Sequence, residues 1–562
     1  MPGGVHSMPR GPLLVIALLA GLSGQGLCLR RRQDQPRNNG TGSVIVEVEV
    51  DPSSEPVFET SDLFLGLTVD MGCLGEPDGL SWLRRPLVRT LLAPLAPAYL
   101  RFGGTTADFT AYDPENTGQP LLQRREGWRP YSIPDNAAAN TSATEHPAIA
   151  AYHSRRNATA LTGAVLEELV AFARTAGLRL VLDANLGSYR TGEGWEPGAW
   201  DPRALQALLQ SLQRRGLGAL AGWELGNEPD MFQGKPPARL RLGYQMPAAQ
   251  LAHDFASFRR ALRIGGQAEA LVLGPDVAAI HENDTLFGPF LDEFGPSDEG
   301  SPDVATWHFY YGPGSTHMHA LSWQNFSQTY VLDKFIHKAT KAREQAARWL
   351  AGPPAKGQPQ RQLWLGETSS TYAGGSGYDS SSFVAGFLWL DKLGIAANLG
   401  NSVVLRQTYV GNNYSLLGSD DLPNPDYYSS VLWRHLVGAK VLRVKDGLAC
   451  GRRVRAYAFC ARGRPGGVAL VLLNTRGWKA KLAILGLRGM REVYLLTARE
   501  PASREVFLNG AASPLAVDPS TGALPRMEPR RLAEADSLTL PPRSYGFVVL
   551  PNAGASACNS QT

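Results

Sequence analysis

From residue 63 to about residue 440, short apolar runs rich in leucine and valine alternate with longer segments of helical period. The runs span 63–70, 97–104, 178–185, 220–228, 270–276, 304–310, 362–368 and 402–408. Their near-continuous apolar character suits strands covered on both faces, and the alternation with helices predicts a parallel sheet with crossovers. Helix candidates lie at 162–175, 202–215, 248–264, 328–350 and 380–397. Eight such units close most naturally into a barrel, so the expected fold class is α/β, a (β/α)8 TIM barrel. Beyond about residue 440 the helical period gives way to short alternating strands at 454–460, 468–473, 492–496 and 545–550, which reads as a β-sandwich. Val44, Val46, Val48 and Val50 alternate with other residues ahead of the first barrel strand, and this N-terminal strand is expected to join the sandwich.

Nearly every barrel run closes on a polar residue: Asp70, Asn185, Glu228, Asp276, His308, Glu367 and Gln407. In a (β/α)8 barrel these ends converge on the mouth where active sites are built. Glu228 stands in WELGNEP at 223–229 and Glu367 in WLGET at 364–368, closing the fourth and seventh runs. Those two strand ends face each other across a closed barrel. Two carboxyl groups about 5–5.5 Å apart let one attack an anomeric carbon while the other protonates the leaving oxygen. The expected chemistry is therefore retaining glycoside hydrolysis, with Glu228 as acid/base and Glu367 as nucleophile. His308 and Tyr310 are placed to donate hydrogen bonds to Glu367, and Asn227 to bond a sugar 2-hydroxyl. Gln407, at the end of the eighth run, joins them as a substrate-binding candidate.

The organisation that follows is a signal peptide at 1–28, the N-terminal strand at 29–50, the barrel at 51–440 and the sandwich at 441–562. Arg10 precedes an apolar stretch at 13–22 that falls short of the roughly 20 residues needed to span a bilayer, so no integral membrane contact is expected. Sequons at Asn39, Asn140, Asn157, Asn283, Asn325 and Asn413 fit a secreted or lysosomal glycoprotein. Five cysteines are too few for a disulfide framework; of the possible pairs, Cys460 with Cys558 would tie down the C-terminal tail. The segment 115–153 has no clear period and is rich in Pro, Gly, Asn and Ala, as a functional or expendable loop would be. A net charge of +4, from 55 basic against 51 acidic residues, gives no support to a nucleic-acid partner. Histidines do not recur at ligand spacing and no phosphate-cradling loop is present, so neither metal nor cofactor is expected.

The chain also resembles the vertebrate endo-β-glucuronidases of glycoside hydrolase family 79, the heparanase family. The residues that carry the resemblance are AYLRFGGT at 98–105, WELGNEP at 223–229, GPDV at 274–277, LGETSS at 365–370, AGFLWLDKLG at 385–394 and LVGAKVL at 436–442. The resemblance implies a barrel with a β-sandwich, the same two catalytic glutamates, and heparan sulfate as the glycan partner. It implies that Asp70, Thr105, Tyr372, Gly374 and Tyr414 line the sugar cleft. It further implies excision of the 115–153 linker, which is shorter here than in the family, to leave a heterodimer of small and large chains; Tyr152 suits a protease cut. Basic residues that the family carries along the cleft are missing. Val277 is followed by Ala278, Ala279, Ile280, His281, Glu282 and Asn283, Tyr311 by Gly312, Pro313, Gly314 and Ser315, and Thr106 stands where a lysine is expected. Arg155 and Arg156 retain a basic pair at the start of the large chain. Fewer sulfate-facing charges predict a preference for less sulfated chains. Two other readings are an exo-β-glucuronidase and a non-catalytic heparan-sulfate-binding paralogue; the second is disfavoured because both glutamates sit in intact motifs.

Overall fold

A computed structural model describes residues 44–75, 79–118, 159–190, 198–232, 244–315 and 320–559. The predicted signal peptide, most of the 115–153 segment, Arg155, Arg156 and the sequons at Asn39, Asn140 and Asn157 lie outside these residues. Among the described residues no helix is long and apolar enough to cross a membrane.

Each of the eight apolar runs forms a strand: β1 (Leu65–Asp70), β2 (Ala98–Gly103), β3 (Leu178–Ala184), β4 (Gly222–Leu225), β5 (Leu271–Val277), β6 (Val304–Phe309), β7 (Gln362–Thr368) and β8 (Val403–Arg406). They pair in parallel, in chain order, and β8 returns to β1 to close the barrel. One layer of the barrel interior, with Val181, Leu273, Val304, Trp364, Val403 and Leu405, is apolar, as is the layer under the helices, where Trp223 and Trp307 are fully buried. Helices Gly163–Thr175, Arg203–Arg214, Ala248–Ile264 and Thr329–Ala351 match the periodic segments to within a residue or two at each end. Thr162 caps the first of these by accepting the Val165 N–H. The helix expected from residue 380 starts later, at Ala385. Ahead of it Gly377–Ser381 forms a 3₁₀ turn, and the N–H groups of Phe383 and Val384 bond to the carbonyls of Ser503 and Pro501 in the C-terminal region. Those bonds satisfy the backbone in a non-helical path.

The C-terminal strands form a large antiparallel sheet that includes Val437–Leu442, Val454–Ala461, Val468–Asn474, Arg491–Thr497 and Ser544–Leu550. A three-stranded sheet of Val44–Glu49, Ala480–Leu485 and Leu538–Leu540 covers one face. Val44–Glu49 pairs in parallel with Ala480–Leu485, and its alternation decides which side is buried: Val46 and Val48 face inward while Ile45 is 48% exposed. Between the sheets lies a separate apolar cluster containing Val46, Val48, Leu470, Leu482, Leu538 and Val548. The other face of the large sheet packs on barrel helices Ala385–Asn398 and Pro425–Leu436, with Trp433 edge-on to Phe459. Cys460 and Cys558 form the disulfide that anchors the tail.

Candidate active site

The end of β4 is shaped by its own sequence. Gly226 has φ +78°, and a Cβ there would come within 2.5 Å of Leu186, so the turn requires glycine. Glu228 follows in the left-handed region (φ 53°, ψ 53°), and Pro229 opens a short 3₁₀ turn, Pro229–Met231. A left-handed non-glycine residue costs on the order of 1–3 kcal/mol and persists where its surroundings hold it. Here the Glu228 N–H donates to the Asp276 carbonyl at 2.9 Å, and Asp108 accepts the Asn227 N–H at 3.0 Å. Glu367, at the end of β7, is paired in register with His308 of β6. One donor atom each from Glu228, His308 and Glu367 lie within 4.8 Å of one another, so the two glutamates face each other across the mouth. Glu228 keeps 23% of its side chain exposed and Glu367 10%.

Beneath the pair, the guanidinium of Arg101 from β2 organises a buried charge cluster. It donates to Glu367 Oε2 (2.8 Å), Glu224 Oε2 (2.5 Å), Asp276 Oδ2 (2.8 Å) and Asn227 Oδ1 (2.9 Å), and lies 3.7 Å from Asp183. Tyr310 donates to the other oxygen of Glu367 at 2.6 Å, so both oxygens accept a hydrogen bond. Burial and the Glu367 charge push the Tyr310 phenol well above its ordinary range, which keeps it a donor. Burial, reinforced by Asp276, drives the Glu224 carboxyl up to about 8 against the pull of Arg101. Asp276 goes the other way: burial opposes its charge, but Arg101 and His308 overcome it and hold the carboxyl well below the usual range.

His308 differs from the sequence expectation. Its Nδ1 lies 3.0 Å from Glu228 Oε1 and its Nε2 3.2 Å from Asp276 Oδ1, so it bridges those two carboxylates and does not bond Glu367. At this point the β6–β7 pairing passes from Trp307 opposite Leu365 to His308 opposite Glu367, leaving Gly366 of β7 as the extra residue. Burial alone would depress the imidazole, yet Asp276 and Glu367 raise it well above its usual value.

Asp230 was also not anticipated. Its Oδ1 accepts the Ala278 N–H at 2.8 Å, while Oδ2 is buried without a hydrogen-bond partner among the described residues. Burial, with the nearby Glu228 charge adding to it, pushes this carboxyl up from 3.8 to about 7. The folded protein therefore retains a proton that the unfolded chain releases, and this contribution to stability is full below about pH 4 and lost as pH rises through about 7. Asp230→Asn removes that dependence. Thermal melts of the two proteins are expected to differ little at pH 4 and to separate by a few degrees at pH 7, with the variant more stable; equal separation at both pH values contradicts the account.

Residues 157–394 match the model for glycosyl hydrolase family 79, N-terminal domain. The chain is 33% identical to heparanase of Gallus gallus over 90% of its length and 95% of that protein, and 31% identical to heparanase of Bos taurus over 90% and 91%. The chain belongs to glycoside hydrolase family 79. Human inactive heparanase-2 is a more distant relative, 27% identical over 90% of this chain and 88% of that protein. Among solved structures, a 4-O-α-L-rhamnosyl-β-D-glucuronidase from Fusarium oxysporum shares the fold, with 16% identity, a TM-score of 0.60, and coverage of 90% of this chain and all of that one.

This family 79 glycoside hydrolase carries its remaining expected cleft residues on the loops around the mouth. Tyr414 stacks on Tyr310 at 6.2 Å, and Tyr372, 43% exposed, meets the same ring edge-on at 6.5 Å. Gly374 turns with φ +83°, and its carbonyl accepts the Asn413 N–H. Asp70 Oδ1 accepts the Gly72 N–H, and a Cβ on Gly104 would come within 2.8 Å of Asp70 Oδ2; Thr105 follows directly. Gln407, just past the end of β8, is buried; its side-chain oxygen accepts the Thr68 hydroxyl and its N–H donates to the Thr368 carbonyl beside Glu367. Asn185 turns away, donating to the Thr110 carbonyl and accepting from Ser188. Thr106 is fully buried. Of the described sequons, Asn283 and Asn413 are exposed, and the Asn325 amide donates to Tyr330. In the described parts of the loops that leave the strands at this end, the cations are Arg84, Arg85 and Arg190, paired with Glu168, Asp421 and Asp254. Arg155 and Arg156 fall outside the described residues.

Proposed function

We propose that this chain is a retaining endo-β-glucuronidase acting on heparan-sulfate-type chains, with Glu228 as acid/base and Glu367 as nucleophile. The observation that carries the proposal is the approach of the two glutamates and His308 to within 4.8 Å, a spacing suited to double displacement; inverting enzymes hold their carboxyls roughly 6.5–9.5 Å apart to admit a water. In the first step Glu367, acceptor of hydrogen bonds at both oxygens, attacks the anomeric carbon as Glu228 gives its proton to the departing glycosidic oxygen. His308 engages Oε1 of Glu228, which leaves Oε2 to meet the leaving oxygen. In the second step Glu228 takes a proton from water, and the hydroxide equivalent displaces Glu367 with the original configuration restored. Asn227, its carbonyl oxygen taken by Arg101, presents its amide N–H groups to the sugar.

Heparan sulfate is the substrate class because relatives 31–33% identical over most of the chain are heparanases. The loop cations near the groove are few and already paired among the described residues, which supports a preference for sparsely sulfated chains. Initial rates on low-sulfate and high-sulfate heparan sulfate, with product masses, test this. We expect severalfold faster cleavage of the low-sulfate polymer and oligosaccharide products; a strong preference for the highly sulfated polymer, or release of free glucuronic acid alone, contradicts it. The N-terminal apolar stretch and the sequons support passage through the secretory pathway, with removal of the linker leaving two chains of one precursor.

A further inference from the structure

Although the groove loops present no unpaired cation among the described residues, two arginines without ion pairs lie just outside them. A cavity of about 300 Å³ opens where the barrel meets the sandwich, lined by Trp323, Gln328 and Thr329 from the barrel and by Arg453, Thr475 and Arg543 from the sandwich loops. Both arginines are exposed, no carboxylate lines the cavity, and neither guanidinium has an ion-pair partner among the described residues. Gln328 precedes helix Thr329–Ala351, whose first turn contains no acidic residue and no side-chain cap, so the positive end of a long helix adds to the field.

The cavity lies at the catalytic end of the barrel, because this helix follows β6 and its first turn lies near the mouth. A chain of contacts joins it to the nucleophile. Tyr310 bonds Glu367, Tyr372 packs on Tyr310, and the 3₁₀ turn Gly377–Ser381 on the same loop presents Tyr378, 89% exposed. The next residue, Asp379, accepts the N–H of Trp323 at 3.0 Å. Two exposed tyrosines, Tyr372 and Tyr378, thus lie on the loop that joins the groove to Trp323 of the cavity, and aromatic faces stack on sugar rings. Guanidinium groups match sulfate and carboxylate oxygens in geometry and charge, while amides and hydroxyls suit sugar hydroxyls.

We propose that this cavity is an exosite for an anionic polysaccharide. A sulfate- or carboxylate-bearing segment docks on Arg453 and Arg543 while a neighbouring, sparsely sulfated stretch of the same chain lies in the groove. The proposal rests on the glucuronidase reading for the identity of the chain, and the division of labour explains how a groove whose loop cations are paired among the described residues can still retain a polyanion.

The test uses the full chain carrying Glu367→Gln, freed of N-glycans under native conditions because Ser327 of the Asn325 sequon also lines the cavity. Binding of a heparan sulfate oligosaccharide that joins a sulfated block to a sparsely sulfated stretch, long enough to span groove and cavity, is measured by calorimetry. Adding Arg453→Ala with Arg543→Ala is expected to weaken binding roughly tenfold or more, and the paired Arg→Lys substitutions to recover part of it. In the Glu367 background, the same double substitution is expected to raise KM for the polymer while kcat holds. Affinity unchanged within about twofold, or a loss confined to kcat, overturns the exosite. Failure of the glucuronidase reading has a different signature: the unaltered protein hydrolyses no β-glucuronide of any sulfation, whatever the arginines do to binding.

Discussion

Glu367→Ala is expected to lower kcat on an aryl β-glucuronide by about 10⁴-fold or more while the protein stays folded, since loss of a nucleophile removes the covalent route entirely. Added azide fills the space of the missing carboxylate, attacks from the same face, and is expected to give the α-glucuronyl azide. Glu228→Ala should behave differently. An activated phenol leaves without a proton, so its departure is slowed much less than that of a sugar, and azide then attacks the glycosyl-enzyme from the opposite face to give the β-azide. Product analysis by nuclear magnetic resonance therefore assigns each glutamate separately. The same anomer from both variants contradicts the assignment.

Arg101→Met carries the second large effect. Arg101 is 1% exposed and serves Glu367, Glu224, Asp276 and Asn227 at once. Removing it strands at least two buried ionised carboxylates, at a cost of about 3–5 kcal/mol for each uncompensated charge before protonation relieves part of it. A Tm lower by several degrees or more is expected, with activity lost. Arg101→Lys keeps the charge but cannot reach four acceptors, so it should fold and show kcat reduced roughly 10²-fold. A methionine variant with the stability of the parent would show that the cluster is not held by this residue.

The barrel was legible because eight apolar runs of strand length ended on polar residues, and a parallel strand buried on both faces leaves that trace. Both glutamates were legible for the same reason. The supporting cluster was not, although a signal existed: Arg101, Asp183 and Glu224 interrupt runs that are otherwise apolar, and a charge inside a buried strand must find partners. Sequence cannot say which partners, because Arg101 reaches residues on β4, β5 and β7 that only barrel closure brings together. His308 meets Glu228 and Asp276 instead of Glu367, and which neighbouring strand ends its ring reaches is set by the closed barrel and not by the local residue pattern.

The account depends on a covalent bond between sugar and enzyme. Incubation with a 2-deoxy-2-fluoro-β-glucuronide bearing a good leaving group, followed by peptide mass analysis, tests this most directly, since the fluorine slows the second step and lets the intermediate accumulate. One adduct on the peptide containing Glu367 is predicted. An adduct on another carboxylate, or turnover whose first-formed product is the α-anomer with no adduct, would contradict it.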